Sequence, residues 1–130
     1  MTKIFVVEDH QIVRKTLISL LEREPDFTVS GEAASGEEAL MLLPEIEVDL
    51  ILVDISMPGM DGISLLREVK KRWPNLACLV LSGHAESVYG KQARSAGALG
   101  YVDKREVREI VPTIRRVMGE AGSSNGSGSQ

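Results

Sequence analysis

The stretch DLILVDISMPGMDG, residues 49–62, decides the fold class of this chain. Four apolar residues, Leu50 to Val53, lead directly into Asp54, and a cluster of turn-forming residues follows. An uninterrupted apolar strand is typical of a parallel sheet covered on both faces, because a sheet with one wet face alternates apolar and polar residues. The acid that ends such a strand is either a solvated strand end or helix cap, or a reactive carboxylate at the mouth of the sheet.

Strands and helices alternate along the rest of the sequence. Apolar runs predict strands over residues 3–7, 27–33, 49–54, 76–82 and 98–103. Apolar residues at helical spacing and helix-start signals predict helices over residues 11–24, 35–45, 61–73, 85–97 and 106–119. Because right-handed crossovers leave few topologies, this (βα)5 pattern predicts an α/β fold with a doubly wound, five-stranded parallel sheet, flavodoxin-like in its strand order 2-1-3-4-5.

Length and composition restrict the class of protein. The chain of 130 residues, 43% of them hydrophobic, suits one globular domain over residues 1–119, followed by a flexible Gly/Ser-rich tail or linker over residues 120–130. No apolar run approaches the ~20 residues of a membrane span, and no signal peptide is recognisable, so we expect a cytoplasmic protein without membrane contact. The lone Cys78 fits a reducing compartment. A net charge of −4 argues against direct nucleic-acid binding by this domain.

Polar residues follow the predicted strands where a parallel sheet binds ligands, beyond the carboxyl ends. Glu8 and Asp9 follow the first strand and Asp54 ends the third, and these two strands are neighbours in the predicted order. Carboxylate oxygens suit Mg²⁺, which binds through few protein ligands together with phosphate oxygens. Ser82 and Lys104, at the ends of the fourth and fifth strands, add a hydroxyl and a cation. The sequence therefore predicts a pocket for Mg²⁺ and a phosphoryl group, with Asp54 as nucleophile.

Other sites fit the sequence less well, although each residue alone has an ordinary interpretation: Asp9 as a helix cap, Ser82 as a turn serine, Lys104 as a surface lysine. A dinucleotide site is disfavoured because the loop after the first strand, EDHQIV, has no glycine. A phosphohydrolase of the haloacid-dehalogenase type would need an acid where Ser56 stands. Zinc is disfavoured because no Cys or His stands at metal spacing from the two histidines.

Four stretches resemble the receiver domain of bacterial two-component response regulators over residues 3 to about 119. They are VVEDHQIVRKTLISLL, DLILVDISMPGMDGISLLREVK, LVLSGHA and SAGALGYVDKRE. The segments EDHQIVRKTLISLL and VSGEAASGEEAL resemble the branch whose receivers are usually followed by a LuxR-type helix-turn-helix DNA-binding domain. The resemblance implies a signalling switch that promotes only its own aspartyl phosphorylation and dephosphorylation and is not an enzyme acting on an outside substrate.

The resemblance also implies a role for each site residue. Asp54 accepts a phosphoryl group from a partner histidine kinase, and Mg²⁺ is held by Asp54, by Asp9 directly, by Glu8 largely through water, and by the backbone carbonyl of Ser56. Ser82 and Lys104 bind the phosphoryl group, and Tyr101 is the aromatic switch that turns from an exposed to an inward position.

The expected output is transcriptional control through the protein's own DNA-binding domain, outside these 130 residues, with possible homodimerisation on phosphorylation. A stand-alone receiver that acts by protein–protein contact is the alternative, and a Mg²⁺-dependent phosphohydrolase is a weaker one. Few large apolar residues and an internal Gly90 predict that the helix over residues 85–97 is the least stable.

Overall fold

The computed structural model describes residues 1–57 and 59–126, with side chains as far as residue 119. Five strands alternate with five helices, as the sequence predicted. The strands are β1 (Thr2–Val7), β2 (Phe27–Ala33), β3 (Leu50–Asp54), β4 (Ala77–Ser82) and β5 (Gly100–Asp103). The helices are α1 (Gln11–Glu22), α2 (Gly36–Leu42), α3 (Gly62–Arg72), α4 (Glu86–Ser95) and α5 (Ile110–Gly126). Within the described ranges, no helix has both the length and the apolar character that crossing a bilayer requires.

The five strands form one parallel sheet in the order β2-β1-β3-β4-β5, which confirms the predicted topology. The register aligns the carboxyl ends of the central strands: Val7 pairs with Val53, and Asp54 pairs with Leu81. Ser82, the last residue of β4, pairs with Asp103, the last residue of β5. Residues that end or follow these strands therefore meet at one edge of the sheet.

The core lies on both faces of the sheet, which explains why β3 is apolar throughout. All five residues of β3 are buried. Because successive side chains in a strand point to opposite faces, Ile51 and Val53 pack with α3 and its neighbours, while Leu50 and Leu52 pack towards α1 and α5. Full burial of each such side chain stabilises the fold by roughly 1.5–3 kcal/mol.

Side-chain caps begin two of the helices. The Ser35 hydroxyl accepts a hydrogen bond from the Glu38 backbone N–H over 3.1 Å at the start of α2. The Asp61 carboxylate accepts one from the Ser64 backbone N–H over 2.8 Å at the start of α3. Each cap satisfies a backbone donor that the first turn of a helix leaves unpaired. Helix α1 instead has His10 at its N-cap position, without a side-chain hydrogen bond, so Asp9 does not cap it.

The C-terminal helix is longer than the sequence predicted. We expected a helix over residues 106–119 and a flexible tail over 120–130, but α5 begins at Ile110, after a 3₁₀ turn at Val107–Glu109, and continues to Gly126. Each residue added to an existing helix gains a hydrogen bond without a new nucleation cost, so weak helix formers can continue it. Residues 127–130 lie outside the described part, and the domain boundary at residue 119 stays a prediction.

Candidate functional site

Three carboxylates meet at the carboxyl edge of the sheet, as predicted. Glu8 and Asp9 follow β1, and Asp54 ends the adjacent β3. One carboxylate oxygen from each lies within 4.8 Å of the others. Glu8 and Asp54 are each only 1% exposed, whereas Asp9 is more open to solvent. Three negative charges at this separation repel one another, so the cluster requires compensating positive charge.

Lys104 supplies part of that compensation. Its Nζ lies 2.9 Å from Asp54 Oδ2 and 2.9 Å from Glu8 Oε1. Burial alone would lower the pKa of the Lys104 ammonium, but its contacts with Glu8 and Asp54 outweigh burial and raise that pKa. Lys104 is therefore a charged partner of the buried acids and not an isolated surface lysine.

The two carboxylate oxygens of Glu8 have different partners. Its Oε2 accepts from the His10 backbone N–H over 3.0 Å. Its Oε1 is paired with the Lys104 ammonium over 2.9 Å and has no other partner among the described residues. Burial raises the pKa of Glu8, against the opposing influence of Lys104. Three clustered carboxylates, two of them buried and sharing the one ammonium of Lys104, fit an oxygen-binding cation such as Mg²⁺.

The loop between β3 and α3 contacts the Asp54 side chain through a backbone hydrogen bond. The Ser56 backbone N–H donates to Asp54 Oδ1 over 2.9 Å. Gly62, the first residue of α3, lies so close that a Cβ there would stand 2.5 Å from the Asp54 carbonyl oxygen. Gly59 has a φ of 73°, a conformation that favours glycine. Pro58, which the sequence placed in the same loop, lies outside the described residues.

Ser82 ends β4, the strand next to β3, and is linked to Tyr101 of β5 through one loop. Ser82 is fully buried, and its Oγ accepts from the His84 backbone N–H over 3.0 Å. Tyr101 is half-buried, and its hydroxyl donates to the His84 carbonyl over 2.9 Å. Burial raises the pKa of the Tyr101 phenol, and its interaction with Ser82 offsets part of the rise. Tyr101 is partly exposed in this structure, so its expected turn to an inward position on phosphorylation stays a prediction.

Two contacts at the site were not anticipated from the sequence. Arg14 in α1 donates to the Glu8 carbonyl oxygen over 2.7 Å. Glu37 in α2 accepts from the Met60 backbone N–H, in the loop after Asp54, over 3.2 Å. Both contacts join segments that are separate in sequence, and no local motif identifies them.

A family model, the response regulator receiver domain, matches residues 4–115. The chain belongs to this family. The receiver is 39% identical over 104 residues to the DNA-binding transcriptional activator DevR/DosR of Mycobacterium tuberculosis, covering 80% of this chain and 48% of that protein. It is 35% identical to the response regulator protein VraR of Staphylococcus aureus, covering 88% and 55% of the two chains. The receiver thus spans about half the length of these curated relatives.

Solved structures of receivers resemble this one closely. A two-component response regulator of the LuxR family from Aurantimonas superposes with a TM-score of 0.87 at 34% identity, covering 92% of this chain and 87% of that one. The response regulator TrrA of Thermotoga maritima, solved in complex with Mg²⁺-BeF, superposes with a TM-score of 0.80 at 28% identity, covering 90% and 99%. These likenesses support the fold.

Proposed function

We propose that this receiver is a phosphorylation-dependent switch in which Asp54 accepts a phosphoryl group from a histidine kinase in the presence of Mg²⁺. One observation carries the proposal: Asp54 is buried at the centre of the site, with Oδ2 on Lys104, Oδ1 on the Ser56 N–H, and Glu8 and Asp9 alongside. This arrangement gives the carboxylate a fixed orientation and a cation that can neutralise added negative charge.

The transfer forms one bond and breaks another. A carboxylate oxygen of Asp54 attacks the phosphorus of a phosphohistidine, the phosphorus–nitrogen bond breaks, and the leaving imidazole takes up a proton. Glu8, Asp9, Asp54 and the Ser56 carbonyl would hold Mg²⁺, which supplies positive charge to the phosphoryl oxygens when bound. Lys104, already within 2.9 Å of Asp54 Oδ2, neutralises part of the charge that the product gains.

The signal then passes through Ser82. Its hydroxyl donates to a phosphoryl oxygen, which changes the contact that Ser82 now makes with the His84 N–H. Because the Tyr101 hydroxyl is bonded to the His84 carbonyl, movement of this loop alters both Tyr101 and the start of α4. Phosphorylation replaces the single negative charge of the Asp54 carboxylate with a phosphoryl group that carries about −1.5 to −2. We propose that this change biases an existing two-state equilibrium of α4 and β5.

We propose transcriptional control in the cytoplasm as the output, through a DNA-binding domain elsewhere in the protein. The support is the similarity to DevR/DosR, a DNA-binding transcriptional activator of which the matched region covers 48%. The net charge of −4 fits a receiver that does not itself bind DNA. Homodimerisation on phosphorylation is part of the same proposal.

Phosphorylation by a small acyl phosphate with Mg²⁺, followed by intact-protein mass spectrometry, tests the assignment. Wild type should gain one phosphoryl group and Asp54→Asn none, while removal of Mg²⁺ by a chelator should abolish the gain. Asp61→Asn is the matched control, since it neutralises an acid of the same loop yet keeps a residue that caps α3 well. Undiminished phosphorylation of Asp54→Asn would overturn the proposal.

A further inference from the structure

Arg14 connects three segments around the acid cluster. It lies in α1, and its side chain is only 14% exposed. Its Nη1 donates to the Glu8 carbonyl oxygen over 2.7 Å, and its Nε donates to Glu32 Oε1 on β2 over 2.8 Å. One guanidinium thus joins α1, the turn after β1, and the edge strand of the sheet.

The turn that Arg14 contacts carries two of the three clustered acids. Glu8 and Asp9 stand between the end of β1 and His10, and His10 makes no side-chain cap for α1. The backbone N–H of Glu8 donates to the Ala33 carbonyl over 3.1 Å. Arg14 fixes the other side of the same residue, its carbonyl, so the two bonds together set the orientation of the Glu8 peptide groups.

The charge of Arg14 is not its main contribution to the site. Its guanidinium is paired with Glu32, whose carboxylate balances the positive charge. Lys104 is the cation whose ammonium reaches Glu8 and Asp54 directly. The effect of Arg14 on the cluster therefore comes through the geometry of the turn.

We propose that Arg14 is a positioning residue, which holds the turn of Glu8 and Asp9 in the shape that binds Mg²⁺; this inference rests on the proposed function. Without the Arg14 contact, repulsion between the three carboxylates would move their oxygens apart, and these oxygens now lie within 4.8 Å of one another. Loss of hydrogen-bond partners behind metal ligands typically weakens metal binding by roughly 10–100-fold. We expect Arg14 variants to weaken Mg²⁺ binding about tenfold or more.

The chain offers a matched control in Arg115. This arginine of α5 also bonds two acids, Asp26 at 2.7 Å and Glu24 at 2.6 Å, in the connection between α1 and β2. It makes a comparable number of charged contacts but none with the acid cluster. Replacing Arg115 therefore shows how the loss of an arginine that bonds two acids affects Mg²⁺ binding when the acid cluster is not contacted.

The experiment is a Mg²⁺ titration of three variants: Arg14→Lys, Arg14→Met and Arg115→Met. The backbone amide NMR signals of residues 8–10 and 54–56 report binding. Both Arg14 variants should bind Mg²⁺ about tenfold more weakly or worse, and Arg115→Met should bind like wild type. Arg14→Lys keeps the charge but cannot reproduce the two-armed contact. Urea unfolding of each variant checks that the comparison is between folded proteins.

Glu32→Ala provides a second, milder test, because it removes one of the two anchors of Arg14 and touches no proposed metal ligand. It should weaken Mg²⁺ binding by less than the Arg14 variants do. The inference is overturned if Arg14→Met or Glu32→Ala binds Mg²⁺ with wild-type affinity. It is also overturned if Arg14→Lys binds Mg²⁺ as tightly as wild type, or if Arg115→Met loses as much Mg²⁺ affinity as Arg14→Met. Absence of Mg²⁺ binding by wild type would instead refute the proposed function.

Discussion

Helices α3 and α4 pack on the same face of the sheet but are held there very differently. Helix α3 buries Leu65, Leu66 and Val69 completely, and Asp61 caps its first turn. The buried residues of α4 are Gly90 and Ala93, and its N-cap position, Ala85, makes no side-chain hydrogen bond. Helix α3 is thus anchored by three fully buried apolar side chains, whereas α4 is anchored by Gly90, Ala93 and the partly buried Tyr89.

The difference indicates which helix can move at low cost. Burial of a large apolar side chain contributes roughly 1.5–3 kcal/mol, so displacing α3 would cost several times as much as displacing α4. Elements that move in switches come from the least stable parts of a structure. Helix α4 also begins beside His84, whose backbone contacts both Ser82 and Tyr101. The weakly held helix is therefore the one connected to the proposed switch residues.

Truncation of the apolar side chains of the two helices should give the largest contrast. Leu66→Ala removes a fully buried side chain and should lower the free energy of unfolding by about 2–5 kcal/mol. Val88→Ala in α4 removes one that is 56% exposed and should change it by less than about 0.5 kcal/mol. Urea denaturation measures both values. Equal losses would show that α4 is as firmly anchored as α3.

Removal of the α3 cap should have a smaller effect. Asp61→Ala leaves the Ser64 N–H without its acceptor and should cost about 1 kcal/mol in urea denaturation. Asp61→Asn should restore most of the loss, since asparagine is an equally good N-cap residue. If Asp61→Ala unfolds at the wild-type urea concentration, the cap does not contribute to the stability of α3.

Addition of a cap to α4 should have the smallest effect and the opposite sign. Ala85→Ser places a hydroxyl at the N-cap position, whose backbone is already extended, and should stabilise α4 by up to about 1 kcal/mol. We expect α4 to open before the whole domain unfolds, so amide hydrogen exchange within α4 should slow while the urea midpoint barely changes. A gain seen equally in global unfolding would mean that α4 does not open separately.

The sequence predicted the sheet and the acid cluster because both depend on local patterns. The apolar run Leu50–Val53 identified a strand covered on both faces, and the strand order then brought Asp54 to Glu8 and Asp9. The contact of Arg14 with Glu8 and Glu32 was not predictable in this way. It depends on how α1 lies against β2 after folding, which neither periodicity nor spacing encodes.

The hydrogen bond of the Tyr101 hydroxyl and the length of α5 were missed for related reasons. The Tyr101 hydroxyl is bonded to the His84 carbonyl, an acceptor 17 residues away in sequence, so the bond follows from tertiary structure. Helix α5 continues to Gly126 although glycine and serine are poor helix formers, since propensity is a weak guide at the end of an established helix.

Hydrogen exchange analysed by mass spectrometry, on the receiver with and without phosphorylation at Asp54, tests the central claim most directly. Intact mass reports the phosphoryl group, and peptides report each helix in the same sample. We predict that exchange changes in α4 and β5 and stays constant in α3, and that Asp54→Asn treated identically shows neither the mass gain nor the exchange change. An equal change in α3 and α4, or a phosphorylated protein with unaltered α4, would contradict the proposed switch.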